Sequence, residues 1–379
     1  MNASGAAIDL APTLRLLLLA GGIALLPLAW VWLRSRRGDA RTRLAALTAL
    51  TLFLTFDLIV FGAFTRLSDA GLGCPDWPGC YGEASPLAAH DDISAAASAQ
   101  PSGPVTPRKA WIEMVHRYLA MVVGALILVL TAASWAGRRQ LPHSWWWPAA
   151  TLAWVIVQGA FGKFTVTLKL YPLIVTLHLL GGMVLLALLA IQREAYLDRP
   201  LALPEGLRRG VKAVLVLLTA QIALGGWVST NYAVLACQGF PQCNGQWWPT
   251  MDFEHGFTLL RELGRAGHGG FLPAEALVAI HWVHRGFALV LAIALLVLVR
   301  ALWRQPGPAA RRFAKTLLAL LALQLASGLG NVVLQWPLVA ALAHTAGAAG
   351  LVLVSVSLAA RCRRPASSSA LAGRTALLA

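Results

Sequence analysis

Four repeated histidines lie inside long apolar runs of this sequence: His116, His178, His284 and His344. They form two matched pairs. His116 sits in Val-His-Arg-Tyr-Leu-Ala and His284 in Val-His-Arg-Gly-Phe-Ala, at an offset of 168. His178 and His344 match at an offset of 166, and each follows a glutamine, Gln158 or Gln324, by 20 positions. Two imidazoles offered at one depth by two different helices is the arrangement that holds a haem iron from both sides. Imidazole in hydrocarbon is costly and marks either function or a hydrogen bond between helices. One histidine alone would favour the bridging role; two matched pairs favour ligation, with one pair to each haem rather than four ligands at one metal.

The residues around the pairs are not matched. Glu113 lies three positions before His116, whereas His281 lies three positions before His284. This spacing puts both members of each pair on one helix face. A carboxylate therefore accompanies the first histidine, where it is suited to move protons near a reacting carbon. The competing role is a structural carboxylate paired with Arg117 or Arg66. Arg117 and Arg285 directly follow their histidines, near one membrane interface. They are suited to pair with haem propionates or to anchor the helix by snorkelling to lipid headgroups. Asp57 and His281 have no role that the sequence decides.

Nine apolar runs must position these side chains: about 11–33, 44–64, 111–136, 148–167, 172–191, 211–230, 277–302, 314–334 and 338–360. Each is near the ~20 residues needed to span a bilayer core. The composition agrees, at 58% hydrophobic and 12% charged, against about 25% charged in soluble domains. The net charge of +15 does not imply nucleic-acid binding, because the basic residues cluster in short segments between runs. Those at 34–43, 138–139, 193–212, 300–315 and in the tail all fall on one side, which the positive-inside rule makes cytoplasmic. The N-terminus and the long loops 65–110 and 231–276 are then expected outside a bacterial-type inner membrane. The first run lacks a cleavage site and is expected to stay as a helix.

Each long loop carries two cysteines six positions apart, Cys74 with Cys80 and Cys237 with Cys243, while Cys362 falls on the cytoplasmic side. Only the outer compartment permits disulfides, so Cys74–Cys80 and Cys237–Cys243 are the expected pairs. They are read as structural, with redox work and metal binding as weaker alternatives. At an offset of 163 the loops also share Pro78 with Pro241, Gly82 with Gly245 and Pro86 with Pro249; upstream, Gly62 matches Gly225. The chain thus repeats: an all-α membrane protein of two four-helix bundles related by an axis along the membrane normal, plus one extra N-terminal helix. The expected divisions are 1–43 (extra helix and basic loop), 44–192 (first bundle), 193–210 (linker), 211–360 (second bundle) and 361–379 (disordered tail). Residues 88–107, rich in Ala, Ser, Pro and Gly, read as a flexible loop.

The motifs GAFTRLSDAGLGCPDWPGC at 62–80, EMVHR at 113–117, LHLLGG at 177–182, WVHRG at 282–286 and AHTAG at 343–347, with the second cysteine pair, resemble the haem A synthase family over about 44–360. That resemblance implies an oxidoreductase that converts a methyl group of haem O to the formyl group of haem A for terminal oxidases. It implies that His116 and His178 flank substrate haem O, that His284 and His344 ligate a haem b cofactor, and that Glu113 is catalytic. It further implies electrons leaving through haem b to an unidentified acceptor, with membrane lipid, a haem O synthase and oxidase assembly factors as partners. Helix 1 lies outside the family's eight-helix pattern. Two other readings share the histidine pairs: a dihaem b-type quinol-linked electron carrier, and a haem transporter or chaperone. The Glu113–His281 asymmetry is what neither requires.

Overall fold

The computed structural model describes residues 11–139, 141, 146–267 and 269–363. The expected tail therefore lies, from 364 onward, outside the described residues. The helices in chain order are α1 (Ala11–Ser35), α2 (Ala40–Leu67), α3 (His90–Ala99), α4 (Pro107–Ala136), α5 (Trp146–Thr167), α6 (Pro172–Leu197), α7 (Glu205–Thr230), α8 (Phe253–Gly256), α9 (Ala274–Trp303), α10 (Pro308–Val333) and α11 (Leu338–Arg361). All but α3 and α8 are long and apolar enough to cross a membrane, which makes nine spans among the described residues. They match the nine apolar runs, with most helices running a few residues further. The extra turns are polar but capped: Asp39 accepts from the Thr42 N–H at 2.8 Å to start α2, and Thr106 accepts from the Lys109 N–H at 3.3 Å with Pro107 at the first position of α4. A side-chain oxygen at this position satisfies one of the free N–H groups of the first turn. The protein is all-α apart from a two-residue parallel pairing of Leu201–Ala202 with Cys362–Arg363.

One expectation is overturned. Residues 88–107 are not a flexible loop throughout, because 90–99 form α3. Its Ile93 is 2% exposed and packs with Ala89, Cys74, Cys80, Ala110, Met114 and Leu16 of α1. Alanine-rich sequence has high helix propensity, and here one isoleucine gives the short helix something to bury.

Helix neighbours follow the repeat. Helices α2, α4, α5 and α6 close one ring of contacts, and α7, α9, α10 and α11 close another. Between the rings α6 meets α11, while the equivalent contacts α6–α7 and α2–α11 flank it. Equivalent helices touching each other, with equivalent contacts on either side, is what a twofold relation between halves produces. The axis shows at residue level too. Arg66 donates to the Ser229 carbonyl at 2.7 Å, and the Tyr232 hydroxyl donates to Asp69 at 2.7 Å. Both contacts join positions that differ by 163, the loop offset itself. Helix α1 packs mainly on α4 and α2, on the flank of the first ring, and has no counterpart on the second among the described residues.

Three buried threonines inside α2 are locally satisfied. Thr48, Thr51 and Thr55 of α2 donate back to Leu44, Leu47 and Thr51 carbonyls at 2.7–2.9 Å. That removes their hydroxyls from the hydrocarbon at little cost.

Candidate functional site

Each ring places one histidine on its second helix and one on its fourth. His116 is on α4 and His178 on α6; His284 is on α9 and His344 on α11. In the second ring the two imidazole centres are 6.5 Å apart with planes at 73°. An iron bound by two imidazoles at ~2 Å per bond separates their ring centres by about 6.3 Å. The pair therefore stands at the spacing a single iron requires. In the first ring His116 stacks on Phe61, with centroids 6.3 Å apart and planes at 9°.

Every one of the four histidines is backed by a glycine of a neighbouring helix. A Cβ on Gly62 of α2 would sit 3.0 Å from Cε1 of His116, and one on Gly225 of α7 would sit 3.0 Å from Cε1 of His284. The corresponding distances are 3.5 Å from Gly162 of α5 to His178 and 3.1 Å from Gly328 of α10 to His344. At Gly62, Gly225 and Gly328 contacts of 3.0–3.1 Å leave little room for a side chain, so these glycines let the imidazoles lie close against the neighbouring helix; at Gly162 the 3.5 Å contact is ordinary van der Waals packing. Gly162 and Gly328 match at an offset of 166, like the histidines they back. That repeat is present in the sequence, but nothing there ties these glycines to the histidines. Gly181 and Gly347 do the same for the matched glutamines: a Cβ on either would collide with the amide oxygen of Gln158 or Gln324. Gln158 donates to the His178 carbonyl at 2.7 Å.

These cradles, with the second pair's ring centres 6.5 Å apart, fit a haem. Among the described residues no three His, Cys, Asp or Glu side chains converge into a metal cage.

Glu113 is 3% exposed and fully engaged. Its Oε1 receives Arg117 Nη2 at 2.6 Å, and its Oε2 receives the Cys74 backbone N–H at 2.8 Å. The role paired with Arg117 is thus what the structure displays, and the same two bonds fix the carboxylate one turn from His116. Arg117 also donates to the Pro78 carbonyl at 3.2 Å and to that of Gly79. In the second half Arg285 donates to His281 Nε2 at 3.2 Å, to the Gly239 and Gln242 carbonyls at 3.0 and 3.4 Å, and to that of Cys237. Gly79 and Gln242 are themselves equivalent at offset 163. Both arginines, for which propionate pairing and anchoring at the interface are the sequence expectations, tether the cysteine loops.

Those loops share one construction. Cys74 is bonded to Cys80 and Cys237 to Cys243, and all four are at most 3% exposed. Cys80 pairs backbone to backbone with Glu83, and Cys243 with Gln246. The turns need Gly82 at φ 74° and Gly245 at φ 78°, the left-handed region that favours glycine. Arg15 of α1 reaches Glu83 of the first loop at 3.5 Å. Asp57 is not brought into the site. It is exposed on α2, five positions and so about 140° around the helix from Gly62.

Comparison with known proteins adds an independent line. Residues 45–356 match the model of the cytochrome oxidase assembly protein family COX15-CtaA. A protein of Shewanella oneidensis named heme A synthase is 37% identical over 321 residues, covering 83% of this chain and 96% of its own. Heme A synthases of Caulobacter vibrioides and Shouchella clausii are each 27% identical. The first covers 87% of this chain and 98% of its own length, the second 68% and 74%.

Proposed function

The chain belongs to the cytochrome oxidase assembly protein family COX15-CtaA, and from that premise we propose that it is a haem A synthase. The substrate is haem O, held between His116 and His178, and one of its methyl groups becomes a formyl group. The net change is R–CH3 + H2O → R–CHO + 4 H⁺ + 4 e⁻, passing through an alcohol and a hydrated aldehyde that loses water. The observation that carries this reading is the asymmetry of the two matched sites. A fixed carboxylate, Glu113, stands beside only one histidine pair, and the relatives bearing the name heme A synthase span nearly the whole chain.

The chain's own residues divide the work. His116 and His178 hold and orient the porphyrin. Glu113 accepts a proton from the reacting carbon or stabilises positive charge developing there. Arg117 and the Cys74 N–H keep that carboxylate from swinging away, which holds the reacting groups at working distance. His284 and His344 would hold haem b, which supplies one-electron redox capacity when bound. The electrons pass to an acceptor outside the chain. By the distribution of Lys and Arg, the cysteine loops face the outside of the membrane and α11 ends in the cytoplasm.

Extraction and chromatography of haems from cells with and without this gene tests the reading. Loss of haem A with accumulation of haem O is expected; undiminished haem A would overturn it. A dihaem carrier or a transporter would leave the haem A to haem O ratio unchanged.

A further inference from the structure

The glycine cradles fix the register of the repeat within the site. Gly62 and Gly225 back equivalent histidines, so α2 and α7 superpose at offset 163; Gly162 and Gly328 do likewise for α5 and α10 at offset 166. Reading across at those offsets shows, besides Phe61 beside His116 against Leu224, two positions where a polar residue of the second half stands for an apolar one of the first. Gln221 on α7 stands where α2 has Leu58, and Ser327 on α10 stands where α5 has Phe161.

Both polar residues meet the second histidine pair. The Gln221 amide nitrogen is 3.0 Å from Nδ1 of His284. That nitrogen also donates to the His284 carbonyl at 3.2 Å; rotation of the amide gives up this bond and presents the oxygen, buried without a partner, to Nδ1. The Ser327 hydroxyl donates to the Leu323 carbonyl at 2.7 Å, and its oxygen lies 3.1 Å from Nδ1 of His344. With its proton committed to Leu323, that oxygen is an acceptor for an Nδ1–H. In the first half the counterpart nitrogen, Nδ1 of His116, is buried with no hydrogen-bond partner. His178 Nδ1 has the Gln158 amide nitrogen at 3.3 Å, whereas the amide nitrogen of its counterpart Gln324 lies 3.2 Å from Nε2 of His344.

We propose that Gln221 and Ser327 are positioning residues that make the second histidine pair a permanent haem site, and that Leu58 and Phe161 make the first pair a site that releases its haem. This rests on the reading of both pairs as haem ligands. A ligating imidazole that gives its other N–H to a fixed acceptor is locked in tautomer and orientation, and is a stronger base toward the metal. Loss of such a partner typically weakens metal binding by about 10–100-fold. A substrate site needs the opposite property, because its haem must enter and leave at every turnover.

The test uses full-length protein purified in detergent, with release of haem to excess apomyoglobin followed spectroscopically. Alongside it, the midpoint potential of the resident haem is measured. Gln221→Leu with Ser327→Ala is expected to release resident haem about 10–100-fold faster, with the midpoint potential shifted positive. Leu58→Gln with Phe161→Ser is expected to co-purify with more haem O and release it more slowly. If Gln221→Leu with Ser327→Ala leaves both release rate and potential unchanged while His284→Ala loses its haem, the proposal is wrong and the ligand assignment stands. If His284→Ala also keeps its haem, both fall.

Discussion

The two histidine sites are copies in backbone and differ in what surrounds the copied part. Ring order, glycine cradles, disulfide loops and the arginine tethers recur at fixed offsets. Glu113 against His281, Leu58 against Gln221, and Phe161 against Ser327 do not. The first half also carries α1 against its cysteine loop, a helix without a counterpart among the described residues of the second half, whereas the short helices α3 and α8 pack on the equivalent α4 and α9. On the proposed function, duplication supplies a scaffold in which both sites hold the same flat ligand. Substitution next to the histidines then assigns each site its task without disturbing the helices that place it.

The sharpest way to break this comparison is at Glu113. Glu113→Gln keeps an acceptor for the Cys74 N–H but loses the charge. A positioned general acid or base contributes about 10²–10⁴-fold, so haem A formation should fall by that factor while haem content is retained. Haem A formation at the normal rate in membranes carrying this variant would remove the chemical distinction between the sites. A fall accompanied by loss of haem from both sites would mean the pair with Arg117 is needed for folding instead.

Next in size are the histidines. His284→Ala or His344→Ala should leave purified protein without resident haem b, read from its reduced spectrum. His116→Ala should retain haem b and make no haem A. A spectrum altered equally by all three variants would indicate one shared haem rather than two sites of different character.

The arginine tethers sharpen the comparison through stability. Arg117→Ala strands a buried carboxylate, and breaking a buried ion pair by removing one partner costs about 3–5 kcal/mol. Arg285→Ala strands only an imidazole and loop carbonyls, at about 1–3 kcal/mol. Thermal unfolding of the two variants in detergent should therefore show the larger drop for Arg117→Ala. Equal drops would mean that the loop carbonyls, common to both, carry the effect and the carboxylate does not.

Much of this was legible in the sequence because the bilayer imposes simple rules. Apolar runs of span length located all nine long helices, and paired histidines, cysteines and glutamines gave the repeat. What escaped was whatever depended on contact between helices. Gly162 and Gly328 repeat at the histidine offset, but a glycine in an apolar run gives no sign of which imaginary Cβ would strike a histidine. Gln221 has Leu58 as its counterpart, so a search for matched residues passes over it. Arg117 and Arg285 read in sequence toward either a ligand or the membrane interface, because they follow the histidines near one interface. On a helix the next residue points about 100° away, and here that direction leads to the loop carbonyls. The helix at 90–99 was hidden by composition, since alanine and serine also make flexible loops and only the burial of Ile93 separates the two.

The smallest predicted effect concerns the joint between the halves. Residues equivalent in a twofold repeat touch each other only near the axis, and two such pairs do so: Arg66 with Ser229, and Asp69 with Tyr232. Arg66 also lies 3.9 Å over the Tyr232 ring, so the ring, the guanidinium and the carboxylate form one cluster bridging α2 to the segment after α7. Gly62 and Gly225, which back His116 and His284, are one helical turn before Arg66 and Ser229. The cluster therefore ties together the two helices against which one histidine of each site rests. Tyr232→Phe removes the hydroxyl bond to Asp69 and keeps the ring under Arg66. Because Tyr232 and Asp69 are partly solvent-exposed, the loss should be about 0.5–1.5 kcal/mol, seen as a small decrease in unfolding temperature with haem content and haem A formation unchanged. A large fall in haem A formation with stable folding would show that the cluster sets the relation between the two sites, and that their independence as copies ends at the axis.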